Sequence, residues 1–170
     1  MFQELSRSQI ESILQHRIFG HIGCHANGLT YVVPICYAYD KGCIFGRTSE
    51  GQKLKMMRAN PEVCFQVEYV ETMVKWESVI CWGTFKELST TEARLKAIHV
   101  LQARVAAKVE NDDLLKSSYW PFAIDDSDKE GVLFCIELKQ MTGRCSICES
   151  NMGSLRGRFP DIRENYVEFS

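Results

Sequence analysis

Arg47, Thr48, Ser49 and Lys53 are the residues whose types and spacing point most directly to chemistry. A strand-like run ends at Phe45-Gly46. Two hydroxyl residues follow, Gly51 allows an unusual turn, and Lys53 opens a helical stretch carrying Leu54, Met57 and, less regularly, Met56. Free N–H groups at a helix start, with the helix dipole behind them, favour an anion. The two cations would add charge-assisted contacts and the hydroxyls hydrogen bonds. An ordinary capped helix with a solvated lysine fits the same residues, and spacing does not choose between the two. Gly46-x₄-Gly51 has the glycine spacing of a nucleotide-triphosphate loop, but Gln52-Lys53-Leu54 stands where Lys-Ser/Thr is required, so that chemistry is excluded.

Pro34, in Tyr31-Val32-Val33-Pro34-Ile35, is a second marker. Proline lacks the N–H that a central ladder needs, so it predicts an edge strand, a bulge or a backbone facing a ligand. His16, His21, His25 and His99 form no HExxH, no serine sits in a G-x-S-x-G elbow, and the histidines read as surface or satisfied core residues. Trp76, Trp82 and Trp120 read as core. Of eight cysteines only Cys145 and Cys148 make a C-x-x-C, with no second ligand pair for zinc. Incidental spacing is the reading there and a redox pair the alternative. Without a secretion signal all eight are expected as reduced thiols acting as small hydrophobes.

The elements that must position these residues follow from pattern. Capping boxes at Ser6-x-x-Gln9 and Ser8-x-x-Glu11 both fit the first helix, which carries Leu5, Ile10, Ile13 and Leu14 on one stripe and ends near His16. Asn27-Gly28 and Asp40-Lys41-Gly42 are tight turns joining strands at 17–26, 29–39 and 43–46. Asn60-Pro61 stops the short helix. Strands at 63–70 and 76–88 are joined around Glu71 and Thr72. Ser89-x-x-Glu92 caps a longer helix with Leu95, Ile98, Gln102, Val105 and Val109 along one side. An irregular crossing at 111–130 and a strand at 132–141 complete a core domain over 1–149, followed by a tail at 150–170 without periodicity. Six strands in hairpin pairs and three helices favour an antiparallel barrel with helices outside, and disfavour a doubly wound parallel sheet. The 170 residues suit one domain, and 45% hydrophobic with 25% charged residues exclude disorder and coiled coil. Twenty basic against 22 acidic side chains argue against nucleic acid, and no apolar run reaches the roughly 18 residues of a membrane helix.

GHIGC, then TYVVPICYAYDKGCIFGRTSEGQKLKMMRANPEVCFQVE, then KWESVICWGTFKEL and a late strand ending MTGR resemble the pyridoxamine 5′-phosphate oxidase-related flavoproteins. The likeness covers roughly residues 4 to 145 and is nearest the branch with 5-nitroimidazole-resistance reductases. It implies a six-stranded FMN-binding split barrel, β with flanking helices, and a cytoplasmic homodimer with FMN at the subunit interface. It further implies that the backbone of Val32, Val33, Pro34 and Ile35 meets the flavin ring. Arg47 and Thr48 would face the phosphate and ribityl chain, Lys53 would bind the phosphate, and Ser78 would contact the flavin from the barrel wall. With Ser49 added, Arg47, Thr48 and Lys53 are the cluster after a strand that suits FMN's phosphate. Gln66 reads as an ordinary polar residue of its strand. The implied activity is FMN-dependent oxidoreduction, as a flavin reductase or nitroreductase-like enzyme. Its acceptor would be a small planar molecule and NAD(P)H its reductant, and the alternative is non-enzymatic flavin or haem binding with His21 or His25 as axial ligand. Vitamin B6 oxidation is not implied, because the last tryptophan is Trp120, the last histidine His99, and the tail LRGRFPDIRENYVEFS lacks the pattern that closes that substrate pocket.

Overall fold

The computed structural model describes residues 2–106 and 131–146. Two hairpins set the first half. β2 (Phe19–Ala26) turns into β3 (Leu29–Cys36) at Asn27-Gly28, with φ of 52° and 76°. β4 (Ala38–Asp40) turns into β5 (Cys43–Thr48) at Lys41-Gly42, with φ of 46° and 81°. Both turns need positive φ at two successive positions, which Asn-Gly and Lys-Gly accept at low cost. The run expected as one strand over 29–39 breaks at Tyr37. Its side chain is wholly buried, its hydroxyl donates to the Leu14 carbonyl at 2.9 Å, and its N–H donates to the Ile18 carbonyl at 2.9 Å.

That break decides the architecture. The sheet runs β3-β2-β6-β7-β8-β5-β4, with β6 spanning Glu62–Thr72, β7 Lys75–Glu87 and β8 Val132–Cys145, and a two-residue β1 (Gln3–Glu4) pairs with β8. Every pairing is antiparallel. The end strands β3 and β4 follow one another in the chain, so the sheet coils round on itself without closing. There are thus eight strands where six were expected, because β1 and the short β4 carry too few residues to show a period. The inner face packs Ile22, Phe65, Val67, Val79, Phe134 and Ile136 into one core.

The helices plug and cover this sheet. α1 (Arg7–His16) starts at Ser6, whose N–H donates to Gln9 Oε1 at 2.8 Å while Gln9 N–H returns a bond to Ser6 Oγ at 3.4 Å, so the first of the two capping boxes is the one used. Ile10, Ile13 and Leu14 are buried beneath it. α2 (Gln52–Ala59) buries Leu54, Met56 and Met57. α3 (Thr91–Ala106) is capped by Thr90 rather than Ser89, since Ala93 N–H donates to Thr90 Oγ1 at 3.3 Å. Its inward stripe is Ala97 and Leu101 with Ile98 and Val100 beside them, packed on Phe45, Leu133 and Cys135. Leu95, expected inward, is 52% exposed, and Gln102 is also exposed, so the face turned to the sheet is the one carrying Ala97 and Leu101. The β6–β7 turn falls at Met73-Val74, two residues later than expected, after an irregularity between Val70 and Thr72.

Cys24, Cys36, Cys43, Cys64, Cys81 and Cys135 are free thiols, as expected. Cys145 is not: it is buried and disulfide-bonded. Val109, the crossing at 111–130, Cys148, the tail at 150–170 and the side chain of Val105 lie outside the described residues. Among the described residues no helix is long and apolar enough to cross a membrane.

Three glycines allow close approach inside the barrel. A Cβ at Gly20 would stand 2.5 Å from Phe65 Cζ, one at Gly46 2.6 Å from Phe134 Cζ, and one at Gly83 would collide with the Glu137 carbonyl. The Gly83 neighbour is backbone and cannot step aside. Gly83→Ala is therefore expected to destabilise the fold by about 2 kcal/mol in urea unfolding. Gly23→Ala, whose Cβ would meet nothing nearer than 3.7 Å, should stay within about 1 kcal/mol of the parent.

Candidate functional site

Alternation along β5 sorts the polar segment onto two sides. Ile44 lies in the main core and Phe45 in the cluster under α3, so Thr48 faces the inner side of the sheet and Arg47 the α3 side. Arg47 is half-buried, with Gly131 packed directly against its guanidinium. Burial holds its pKa below the usual arginine value, and Arg94 of α3 adds like-charge repulsion. The hydroxyl of Thr48 donates to the Ser49 carbonyl at 3.2 Å, and Ser49 itself is exposed.

Lys53 stands in the first turn of α2, on the inner side with Thr48. It is half-buried, and Cys24 of β2 is close enough for the two to interact electrostatically. Burial pushes its pKa below the ordinary lysine value, and Cys24 only partly opposes this. Among the described residues no carboxylate or hydrogen-bond acceptor pairs with its ammonium. Gly51, the N-cap of α2, supplies no side-chain cap, and the space where its Cβ would be is open. A partly desolvated cation thus adjoins an uncapped helix start with room in front of it, an arrangement suited to an anion. Arg47 and Lys53 approach the end of β5 from opposite sides, so the four polar residues do not form the single patch their spacing suggests.

β3 is an end strand, paired only with β2, so half of its backbone donors and acceptors face away from the ladder. Pro34 therefore costs the sheet little. Val33 and Ile35 lie on the inner side, the first half-buried and the second fully buried. Val32, 60% exposed, and Pro34 lie on the outer face opposite Gly23 and His21. β3 and β5 approach one another without pairing.

Ser78 lies elsewhere. On β7 it faces outward, opposite Glu68 and Arg144, and with Trp76, Ile80, Thr142 and Arg144 it lines a cavity of about 510 Å³. Among the described residues nothing from β3 or from 47–53 lines that cavity. The outer face also carries Ile80 and Trp82, the latter 42% exposed, so the expectation of core tryptophans fails for Trp82. Trp76 is half-buried against Phe2, with ring centroids 5.3 Å apart. Trp120 lies outside the described residues. Period-2 alternation around Val79 and Cys81 carried the signal for this outward face. Gln66 donates to Glu68 Oε2 at 3.0 Å, in keeping with an ordinary strand residue. His25 Nδ1 pairs with Thr30 Oγ1 at 2.9 Å, and His16 Nδ1 with the Ser12 carbonyl at 2.7 Å. No group of three or more potential metal ligands occurs among the described residues.

Comparison with known proteins places this geometry in company. A family model described as pyridoxamine 5′-phosphate oxidase matches residues 6–144. An uncharacterized protein of Rhizobium meliloti is 26% identical over 153 residues, which is 84% of this chain and 93% of that protein. A solved FAD-binding protein of Mesorhizobium loti superposes with a TM-score of 0.68 at 26% identity, over 85% of this chain and 96% of its own. A proposed 5-nitroimidazole antibiotic resistance protein of Bacteroides thetaiotaomicron gives 0.66 at 20% identity, over 85% and 87% of the two chains, a likeness of fold.

A half-buried ammonium without a partner weakens the empty fold. Lys53→Met is therefore expected to raise the urea midpoint of ligand-free protein while lowering its affinity for a phosphorylated ligand. A fall in both would mean that Lys53 is a packing residue rather than a ligand.

Proposed function

Because the chain belongs to the pyridoxamine 5′-phosphate oxidase family, whose model spans residues 6–144, we propose that it binds a flavin, specifically FMN, and acts as an FMN-dependent oxidoreductase on a small planar substrate. The observation that carries this reading is Lys53, half-buried and unpaired among the described residues at the open start of α2. A terminal phosphate monoester bears a charge of about −2 at neutral pH, which such a corner can neutralise. The described residues therefore fit FMN. Lys53 and the first N–H groups of α2 would hold its phosphate, Thr48 and Ser49 the ribityl side, and the unpaired edge of β3 at Val32–Ile35 would meet the polar rim of the ring. Arg47 would act through the field it adds from the α3 side.

When bound, the flavin supplies a ring that accepts and passes on electrons, and the protein's part is binding, orientation and electrostatics. That division of labour accounts for an anion corner without a catalytic triad. Ser78 faces away from Lys53 within one chain, so its contact with a flavin is read as coming from a second copy. The exposed Val32, Ile80 and Trp82 support a homodimer with the flavin between subunits. Six of the seven described cysteines are free thiols, which supports a reducing, cytoplasmic setting, while the disulfide at Cys145 stands against it.

Titration with FMN tests the site. Lys53 is charged only below its lowered pKa, so FMN affinity is expected to fall as pH rises towards and through that value, earlier than an ordinary lysine would allow. A bound dianion draws the pKa back up, so the affinity falls across the interval between the free and the bound values. Lys53→Arg, charged throughout, should flatten the profile, and an unchanged profile in that variant would remove Lys53 from the site.

Anaerobic mixing of the flavin-loaded protein with NADH or NADPH tests the activity. Bleaching of the flavin absorbance within seconds is the expected result. Flavin that stays oxidised with both donors would favour storage or sensing. A Soret band on adding haem, lost in His21→Ala or His25→Ala, would favour the haem-binding alternative.

A further inference from the structure

The segment read as phosphate-binding contains one residue of the wrong sign. Glu50 lies directly before Gly51, the N-cap of α2, and an unpaired carboxylate there would oppose any anion at the helix start. Its position in the structure removes that conflict. Both Glu50 oxygens accept from Arg58, Oε2 from Nη1 at 2.8 Å and Oε1 from Nη2 at 2.8 Å. Arg58 stands in the last turn of α2, so the bidentate pair draws the carboxylate along the helix, away from its N-terminus. The same guanidinium holds Glu87 at the end of β7, donating from Nε to Oε1 and from Nη2 to Oε2 at 3.1 Å. One arginine therefore ties the loop after β5, the far end of α2 and the barrel wall together. Its planar fork serves two carboxylates at once, which a lysine cannot reproduce.

We propose that Arg58 is a positioning residue of the anion site: its two-carboxylate clamp withdraws Glu50 from the start of α2, so that Lys53 and the helix N–H groups meet a phosphate without an opposing charge. This rests on the reading of 47–53 as the phosphate-binding segment. An isolated exposed ion pair contributes little to stability, so the role assigned to Arg58 lies in ligand affinity and specifically in the phosphate.

The test compares full-length parent, Arg58→Ala, Arg58→Ala/Glu50→Gln and Lys53→Ala, each titrated with FMN and with riboflavin by quenching of flavin fluorescence. Arg58→Ala is expected to weaken FMN about fivefold, the size of one carboxylate acting on a dianion across a partly solvated gap, with riboflavin affinity within twofold of the parent. Adding Glu50→Gln should restore most of the FMN affinity, because the charge to be withdrawn is gone. Equal losses for FMN and riboflavin in Arg58→Ala, or no rescue by Glu50→Gln, would make the clamp merely structural and overturn the proposal. Unchanged FMN binding in Arg58→Ala alongside a loss in Lys53→Ala would reject the clamp and leave the phosphate reading standing. Unchanged binding in Lys53→Ala would remove both. If Arg58→Ala does not fold, the single Glu50→Gln variant still decides: FMN binding equal to or tighter than the parent supports the clamp, and weaker binding overturns it.

Discussion

An ammonium group held half out of water with no counter-charge among the described residues is the constraint around which this structure is best understood. Folding alone gives no return for placing Lys53 beside Cys24 at the corner of β5 and α2; a solvated lysine one turn further along would cost less. The surrounding features make sense once an anion is added. α2 begins at a glycine with no side-chain cap, the space in front of it is open, and the neighbouring strand β3 leaves one backbone edge unpaired. Each of these is a small liability in an empty protein, and together they describe a socket.

The rest of the fold fixes the corner of β5 and α2 in place. Tyr37, buried and hydrogen-bonded to Leu14 and Ile18, turns the chain from one end of the sheet to the other. That turn sets β3 and β5 near each other without letting them pair, so the sheet does not close there. Glycines at 20, 46 and 83 allow aromatic side chains and backbone to close the remaining wall tightly. On the outer face the alternation is reversed in character: Val32, Ile80 and Trp82 are turned to solvent, and Ser78 sits in a broad cavity with Arg144. A monomer seldom leaves such a band uncovered.

Much of this was legible in the sequence because it rests on local chemistry. Asn27-Gly28 and Lys41-Gly42 announce their turns through backbone sterics, Ser6 and Gln9 announce a cap, Asn60-Pro61 a stop, and Pro34 an edge. What the pattern missed depends on partners distant in the chain. Nothing near Tyr37 says that Leu14 will accept its hydroxyl and break the strand. The inward stripe of α3 runs through Ala97 and Leu101, which pack on Phe45, Leu133 and Cys135, residues far from the helix in the chain. Arg47 and Lys53 look like one cluster along the chain, yet alternation at the end of β5 turns Arg47 to the α3 side, while Lys53 stands in α2 near Cys24 of β2. The Arg58 bridge joins positions 29 residues apart, beyond any local signal.

The central claim is that the corner of β5 and α2 holds a phosphate dianion out of bulk water. Phosphorus NMR of the FMN-loaded protein, followed from pH 8 down to 5, observes that group itself. A phosphate held by Lys53 and the helix start should resonate away from free FMN and stay dianionic through the region near pH 6 where a free phosphate monoester takes up its proton. A resonance that coincides with free FMN and titrates with it would place the phosphate in water and contradict the account.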